Sequence, residues 1–202
     1  MTKNRGILVA IAAMAAIVVA SNVLVQFLMG DWLTWGAFTY PFAFLVTDLA
    51  NRTWGKAAAR RVVLAGFATG IVCSFIAAGL DATTLRIAIG SGTAFLVAQM
   101  VDVQIFARLR EGSWWRAPLV SSLAGSALDT AIFFSVAFST WFVFIDPADE
   151  VAWANEALPL LGAGPVAPLW VSLGVADFGV KLVLALLALV PFRLIAARLR
   201  PA

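Results

Sequence analysis

The chain of 202 residues is 62% hydrophobic and only 12% charged, with a mean hydropathy of +0.96 and a formal net charge of +3. Soluble domains are about 45–50% apolar, so this balance excludes an ordinary soluble domain and points to a polytopic membrane protein, whose scattered basic residues mark topology rather than direct nucleic-acid binding. There is no histidine and Cys73 is alone, which rules out an internal disulfide, Ser-His and Cys-His hydrolases and most zinc chemistry; no metal or cofactor is expected, and no enzyme.

Lys3 and Arg5 precede an apolar segment from Ile7 to about Met29. A secretory h-region runs about 7–15 residues, whereas this one continues past Ala20 and Ser21 to a full membrane width, so an uncleaved first helix is expected over 7–29. Asn22 and Gln26 share a face in its far half, and two amides in hydrocarbon need partners from another helix or a ligand. A Gly30-Asp31 turn leads to the second span, 33–51, with Pro41 mid-run and Asp48 near its end. Pro41 leaves the carbonyl of Ala37 free, and an acid facing lipid costs roughly 2.5–3.5 kcal/mol, so the Pro41, Phe44, Leu45 and Asp48 side should face protein or water.

The basic cluster Arg52, Lys56, Arg60 and Arg61 follows. A third span, 62–80, carries Gly66 and Gly70, a small-xxx-small pair suited to close helix packing. After a short Asp81–Thr84 turn, a fourth span over 85–107 places Ser91, Phe95, Gln99 and Asp102 in one inward stripe. The loop Arg108–Arg116 holds three arginines beside Trp114 and Trp115. A fifth span, 118–145, aligns Ser122, Ser126, Asp129 and Phe133. The segment 146–168 is acidic, without Lys or Arg, and rich in Gly and Pro; it reads as an exposed loop with a short surface helix around Val151–Leu158. The last span, 169–191, holds Asp177 and Lys181 one turn apart, before Arg193, Arg198 and Arg200.

The expected fold is therefore all-α, a single transmembrane domain over 1–202 with six helices and both termini in the cytoplasm. On that topology twelve basic residues (Lys3, Arg5, Arg52, Lys56, Arg60, Arg61, Arg108, Arg110, Arg116, Arg193, Arg198 and Arg200) lie inside, Arg86 outside and Lys181 within the membrane. Six of the eight tryptophans, Trp32, Trp35, Trp54, Trp114, Trp115 and Trp170, fall near span ends, where interfacial anchoring is their ordinary role.

The intramembrane charges Asp48, Asp102, Asp129, Asp177 and Lys181 sum to minus three. Asp48 is four residues before Arg52, so Asp48, Arg52 and Asp102 fit ion pairing with the inner basic loops as well as gating. Asp129 and Asp177 are deeper. One of them can pair with Lys181, which leaves a surplus carboxylate near the midplane in reach of Gln99 and, from another helix, of Asn22 and Gln26. A purely structural polar core is the bland alternative, but polar groups at this density are costly in lipid and usually mark a pathway.

The runs SNVLVQ (Ser21–Gln26), TWGAFTYPFAFLVTDLANR (Thr34–Arg52), RIAIGSGTAFLVAQMVDVQIF (Arg86–Phe106), WWRAPLVSSLAGSALDTAIFF (Trp114–Phe134) and D-x-x-x-K (Asp177–Lys181) resemble the queuosine-precursor transporter family, formerly grouped as the vitamin uptake transporters. The resemblance covers most of the chain in order. It implies a multi-pass protein of the bacterial inner (cytoplasmic) membrane, surrounded by lipids, importing 7-cyano- and 7-aminomethyl-7-deazaguanine for salvage into tRNA queuosine. The turn Leu80–Thr84 is shorter, and Asp146–Pro168 longer and more acidic, than the family pattern. A 7-deazaguanine offers two adjacent donors and a carbonyl acceptor; an Asp receives the donors in bidentate fashion while Gln, Asn or Lys serves the carbonyl. Phe95, Phe133 or Phe178 would stack on the ring. The expected substrate site is Asn22, Gln26, Phe95, Gln99, Asp129, Phe133, Asp177 and Lys181.

The alternative is the substrate-binding subunit of an energy-coupling-factor importer, since Ala12-Ala13-Met14-Ala15-Ala16 resembles the alanine-rich helix with which such subunits dock. Gly174–Lys181 lacks the adjacent Gly-Lys of a phosphate loop, and the flanks of Asp129 and Asp177 lack the context of an intramembrane aspartyl protease. A homodimer is a further expectation, with the Gly66/Gly70 face as candidate contact or internal packing surface.

Overall fold

The computed structural model describes residues 3–199; Arg200, the last of the basic residues counted above, lies outside them. Five helices are long and apolar enough to cross a bilayer: α1 (Lys3–Leu24), α4 (Lys56–Gly79), α5 (Leu85–Leu109), α6 (Arg116–Phe138) and α7 (Leu169–Arg198). The expected second span is divided into α2 (Gly36–Thr39) and α3 (Phe42–Trp54). Tyr40 and Pro41 keep helical backbone angles between them, but the proline supplies no N–H to the turn before it, which is why the hydrogen-bond ladder lapses there.

Several element ends differ from the hydropathy reading. The first helix stops at Leu24 rather than near Met29, and a two-stranded hairpin, β1 (Leu28–Met29) with β2 (Leu33–Thr34), turns the chain instead. Of the basic cluster expected in a loop, Arg52 lies in the last turn of α3 and Lys56, Arg60 and Arg61 in the first turns of α4, only Gly55 separating the two helices. The fifth span ends at Phe138, not Ile145: Ser139 is extended and its Oγ accepts from the Trp141 N–H, opening a 3-10 helix over Thr140–Ile145. In the acidic segment the surface helix is a single 3-10 turn, Trp153–Asn155, followed by β3 (Ala157–Pro159) paired antiparallel with β4 (Val166–Pro168). Finally, α7 passes through Pro191 and reaches Arg198. The two hairpins qualify the all-α expectation without adding a sheet layer.

The exposed surface carries many large apolar side chains while the interior holds an unusual number of polar ones beside its apolar core, unlike a soluble domain. Along α7, Val183, Leu186, Leu187, Val190 and Leu194 are all more than half exposed, as are Phe75 and Ile76 on α4. Such surfaces suit hydrocarbon. Inside lie Thr47, Asp48, Asn51, Gln99, Asp102, Ser121, Ser126, Asp129 and Lys181. Met14, Val62, Val63 and Phe95 form the apolar core between α1, α4 and α5. A Cβ on Gly66 would stand 2.6 Å from Met14 Cγ and 2.9 Å from Phe95 Cζ, and one on Gly70 would touch Val18. The Gly66/Gly70 face is thus spent on internal packing, the second of the two readings given for it above.

Arg86, which the expected topology places on the outer side of the membrane, is fully buried within the fold at the start of α5. Its guanidinium donates to the carbonyls of Val136 and Ser139, so it closes the C-terminal end of α6, where unpaired carbonyls and the helix dipole favour a cation.

Candidate functional site

Two helices build the most charged point of the interior. Asp177 and Lys181 are one turn apart on α7, and Asp129 lies opposite on α6. Lys181 Nζ donates to Asp129 Oδ2 at 2.6 Å, to Asp177 Oδ2 at 2.5 Å and to Thr130 Oγ1 at 3.1 Å. Thr130 in turn donates to Asp177 Oδ2 at 2.8 Å. The expectation of one paired acid and one free acid is therefore corrected: a single ammonium is shared by both carboxylates, because three N–H groups can serve three acceptors at once. The group carries one negative charge in excess when all three are ionised. Tyr40 covers it, with Lys181 Nζ 5.7 Å from the ring centroid, and Phe95 meets Tyr40 edge-on at 5.9 Å.

From this cluster a cleft runs between α3, α6 and α7. It is lined by Pro41, Phe44, Leu45 and Asp48, by Ser122 and Ser126, and by Lys181 and Ala185. The Pro41, Phe44, Leu45, Asp48 side faces inward, as the cost of an acid in lipid requires. The cleft is narrow: its volume of about 10 Å³ is the room of about one water molecule. A Cβ on Gly125 would sit 2.5 Å from Phe44 Cε1, so the glycine lets α6 bring its serines against α3.

The second polar group lies between α3, α5 and α6. Thr47 donates to Gln99 Oε1 at 2.7 Å, and Asn51 Nδ2 donates to the Val103 carbonyl at 3.0 Å. Asp48 accepts the hydroxyls of Ser121 and Ser122 at 3.3 Å each. Asp102 lies beside Asp48 and Ser121. The expected Asp48–Arg52 pair is not formed: Arg52 turns instead to the Arg110 carbonyl at 2.5 Å, since Asp48 faces inward on α3 while Arg52 lies near its C-terminal end, next to the end of α5.

The remaining expected site residues are placed as follows. Gln99 belongs to this second group and is not among the contacts of Lys181. Asn22 spends its amide on the Val18 carbonyl of its own helix at 2.8 Å, while Ser21 beside it bonds Thr39. Gln26 lies beyond the end of α1 and is exposed, because the helix on which it was to share a face with Asn22 has already ended. Phe133 packs with Phe134 and Phe138, which meets Trp153, at the far end of α6. The structure thus joins Asp129, Asp177 and Lys181, brings Phe95 near through Tyr40, and leaves Asn22, Gln26 and Phe133 apart. Tyr40 and Thr130 were not singled out from sequence. Tyr40 had a signal, being the only tyrosine and preceding Pro41; Thr130, adjacent to Asp129 rather than one turn away, had none. Among the described residues no group of three or more His, Cys, Asp or Glu is arranged to hold a metal.

Residues 34–196 match the family described as "Putative vitamin uptake transporter". A protein of Escherichia coli (strain K12) named "Queuosine precursor transporter" is 36% identical over 141 residues, covering 60% of this chain and 64% of the relative. One from Haemophilus influenzae, named "Probable queuosine precursor transporter", is 33% identical over 174 residues, covering 78% and 66%, and one of the same name from Bacillus subtilis (strain 168) is 30% identical over 145 residues, covering 60% and 62%. The chain spans just under two thirds of the length of these relatives. No solved structure matches it. With the family match running from the second apolar segment almost to the end of α7, the chain belongs to the vitamin uptake transporter family, the family of the queuosine precursor transporters.

Proposed function

We propose that the chain is an inner-membrane importer of queuosine precursors, 7-cyano- or 7-aminomethyl-7-deazaguanine, crossing the bilayer six times with both termini in the cytoplasm. The carrying observation is the Lys181 group: two carboxylates and one ammonium, buried on facing helices and opening on a cleft. A carboxylate of Asp129 or Asp177 receives the two adjacent donors of the base, and Lys181 Nζ, released from that carboxylate, serves its carbonyl. The excess negative charge suits the ammonium of the aminomethyl form, and Tyr40 with Phe95 supplies aromatic faces. A bicyclic base needs far more than the room of one water, so binding requires α3 to part from α6 and α7. The break at Tyr40–Pro41 is the natural place for that movement. In this reading the sixth crossing is the α2–α3 segment, and Gln99, Asn22, Gln26 and Phe133 lie outside the first contacts.

A strain unable to make queuosine and lacking its own importer, supplied with this gene and fed each base at low concentration, tests the proposal. Restored tRNA queuosine with either base supports it; none with both, in cells that display the protein in the membrane, overturns it. Reporter fusions test the topology, where a periplasmic C-terminus would defeat it. A second reading, a subunit docking on a separate ATPase module, draws on Ala12 and Ala16, which are exposed on α1. Uptake by the purified chain alone in liposomes argues against that reading.

A further inference from the structure

Asp48 and Asp102 are 2% and 0% exposed. Their carboxyls adjoin, with the Ser121 hydroxyl beside both. Asp48 has two serine donors, yet neither oxygen of Asp102 accepts a hydrogen bond. The same is true of Asn51 Oδ1, whose residue is anchored to the Val103 carbonyl next to Asp102. Three buried acceptor atoms therefore stand without a donor in one helix contact, against one idle donor in the same contact, Gln99 Nε2; the other idle donor among the described residues, Arg86 Nη1, is at the opposite end of α5. Buried acceptors ordinarily have a donor, and the group nearest to supplying one here is a carboxyl that keeps its own proton.

Among the described residues no cation supplies the need. On α3, Arg52 is turned to the Arg110 carbonyl. On α4, Arg60 and Arg61 are exposed and Lys56 starts the helix. On α5, Arg108 is exposed, and Arg86 is at the opposite end on the carbonyls of Val136 and Ser139. On α6, Arg116 is exposed and Asp129 is held by Lys181. On α7, Lys181 is engaged by its own two acids and Arg193 lies over the Trp114 ring. On α1, Lys3 and Arg5 are exposed. Among the described residues every ion pair within 4 Å involves Lys181.

Two ionised carboxylates only accept, so side by side they repel and satisfy nothing; one carboxylic acid donates to its neighbour and halves the buried charge. We propose that Asp48 and Asp102 bind one proton between them, forming a proton site separate from the Lys181 cluster and connected to it by the cleft that Asp48 and Lys181 both line. The bound form is a carboxyl–carboxylate pair, Asp102 O–H donating to Asp48, with the serines holding the remaining lone pairs. Release moves the proton across that hydrogen bond from Asp102 to Asp48, which lines the cleft, and from Asp48 to water admitted there, leaving both acids ionised. On the transporter reading, with which this consequence alone stands or falls, opening between α3 and α6 exchanges the proton while the base is exchanged, coupling uptake to a pH gradient.

The test is infrared difference spectroscopy on the purified full chain in lipid nanodiscs, comparing acidic with alkaline buffer. The expected result is a carbonyl stretch of a solvent-shielded carboxylic acid, shifted in D2O, present in wild type and in Asp129→Asn and lost from both Asp48→Asn and Asp102→Asn. No such band in wild type, a band that survives in both variants, or one removed by sodium at constant pH overturns the proposal. If either asparagine variant fails to fold, the wild-type spectrum and the surviving variant still decide. Proteoliposomes separate the two readings. Counterflow of labelled base retained by Asp102→Asn, with loss of accumulation driven by a pH gradient, supports coupling; base movement absent in wild type that shows the band overturns the coupling and the transport reading and leaves the proton site standing. Gradient-driven accumulation undiminished in Asp102→Asn overturns the coupling.

Discussion

The Lys181 group and the Asp48–Asp102 group are both pairs of buried carboxyls between transmembrane helices, and they solve the same electrostatic problem in different ways. The first has a cation and a hydroxyl within reach, and one oxygen of each acid is met by a short bond from them. The second has serines at longer distance and, among the described residues, no cation. Position explains the difference. A lysine one turn from an acid on the same helix is fixed in register with it, whereas Arg52, offered to Asp48 at the same spacing, finds a carbonyl at the end of α5 instead. The spacing of four residues permits a pair but does not enforce one.

The largest effect should come from taking the cation away. Lys181→Met leaves two carboxylates facing each other, and removing one partner of a buried ion pair costs about 3–5 kcal/mol; the variant should be scarce or unfolded by fluorescence-detected gel filtration, and Asp129→Asn added to it should restore part of the loss. Asp129→Asn or Asp177→Asn alone leaves Lys181 with one partner, so folding should hold while affinity for the base falls: a charge-assisted hydrogen bond is worth about 1.5–3 kcal/mol, or roughly 10–100-fold in Kd. Equilibrium binding of labelled base checks this, and wild-type affinity in both would remove the cluster from the binding site.

Gly66→Val acts away from both groups, on the 2.6 Å approach to Met14, and should cost about 1–3 kcal/mol of stability by overpacking, measured as a lower melting temperature without a change in Kd at permissive temperature. Asp102→Asn, in contrast to Lys181→Met, breaks no ion pair and replaces an acid by a group of the same shape; its stability should stay within about 1 kcal/mol of wild type. A loss as large as that of Lys181→Met would mean that the two acidic groups are alike after all. Gln26→Ala, at an exposed position beyond α1, should change stability by less than about 0.5 kcal/mol and leave uptake untouched.

Hydropathy made the helices legible because each long one carries an apolar run of membrane width, and the inward stripes on α5 and α6 followed from spacing alone. Phe95, Gln99 and Asp102, and Ser122, Ser126 and Asp129, are buried as their period requires, while Ser91 and Phe133, the outermost members of the two stripes, are only partly buried. Ends were less legible. Nothing in an apolar average distinguishes Leu24 from Met29, since hairpin residues such as Phe27 and Leu28 are as hydrophobic as those of a helix; Ser139 before Thr140 did carry a capping signal that the aromatic run around it masked. Partner choice was the least legible of all. Gln99 and the Lys181 group fall in one depth band, but which helix faces which is decided by packing at Gly125 and Gly66, and depth says nothing of azimuth.

Arg86 carries a consequence for how the protein is made. Its guanidinium is fully buried, and its partners are the carbonyls of Val136 and Ser139, supplied some fifty positions later in the chain. During synthesis α5 is complete before those carbonyls exist, so the arginine must wait in water or among headgroups until α6 emerges and ends beside it. Insertion of α5 alone would strand a cation at the membrane edge; insertion of α5 with α6 as a hairpin delivers the charge and its acceptors together. The order of biogenesis is in this sense written into one side chain, and a ribosome-stalled chain ending before Val136 is expected to hold α5 less firmly in the bilayer than one extended past Ser139.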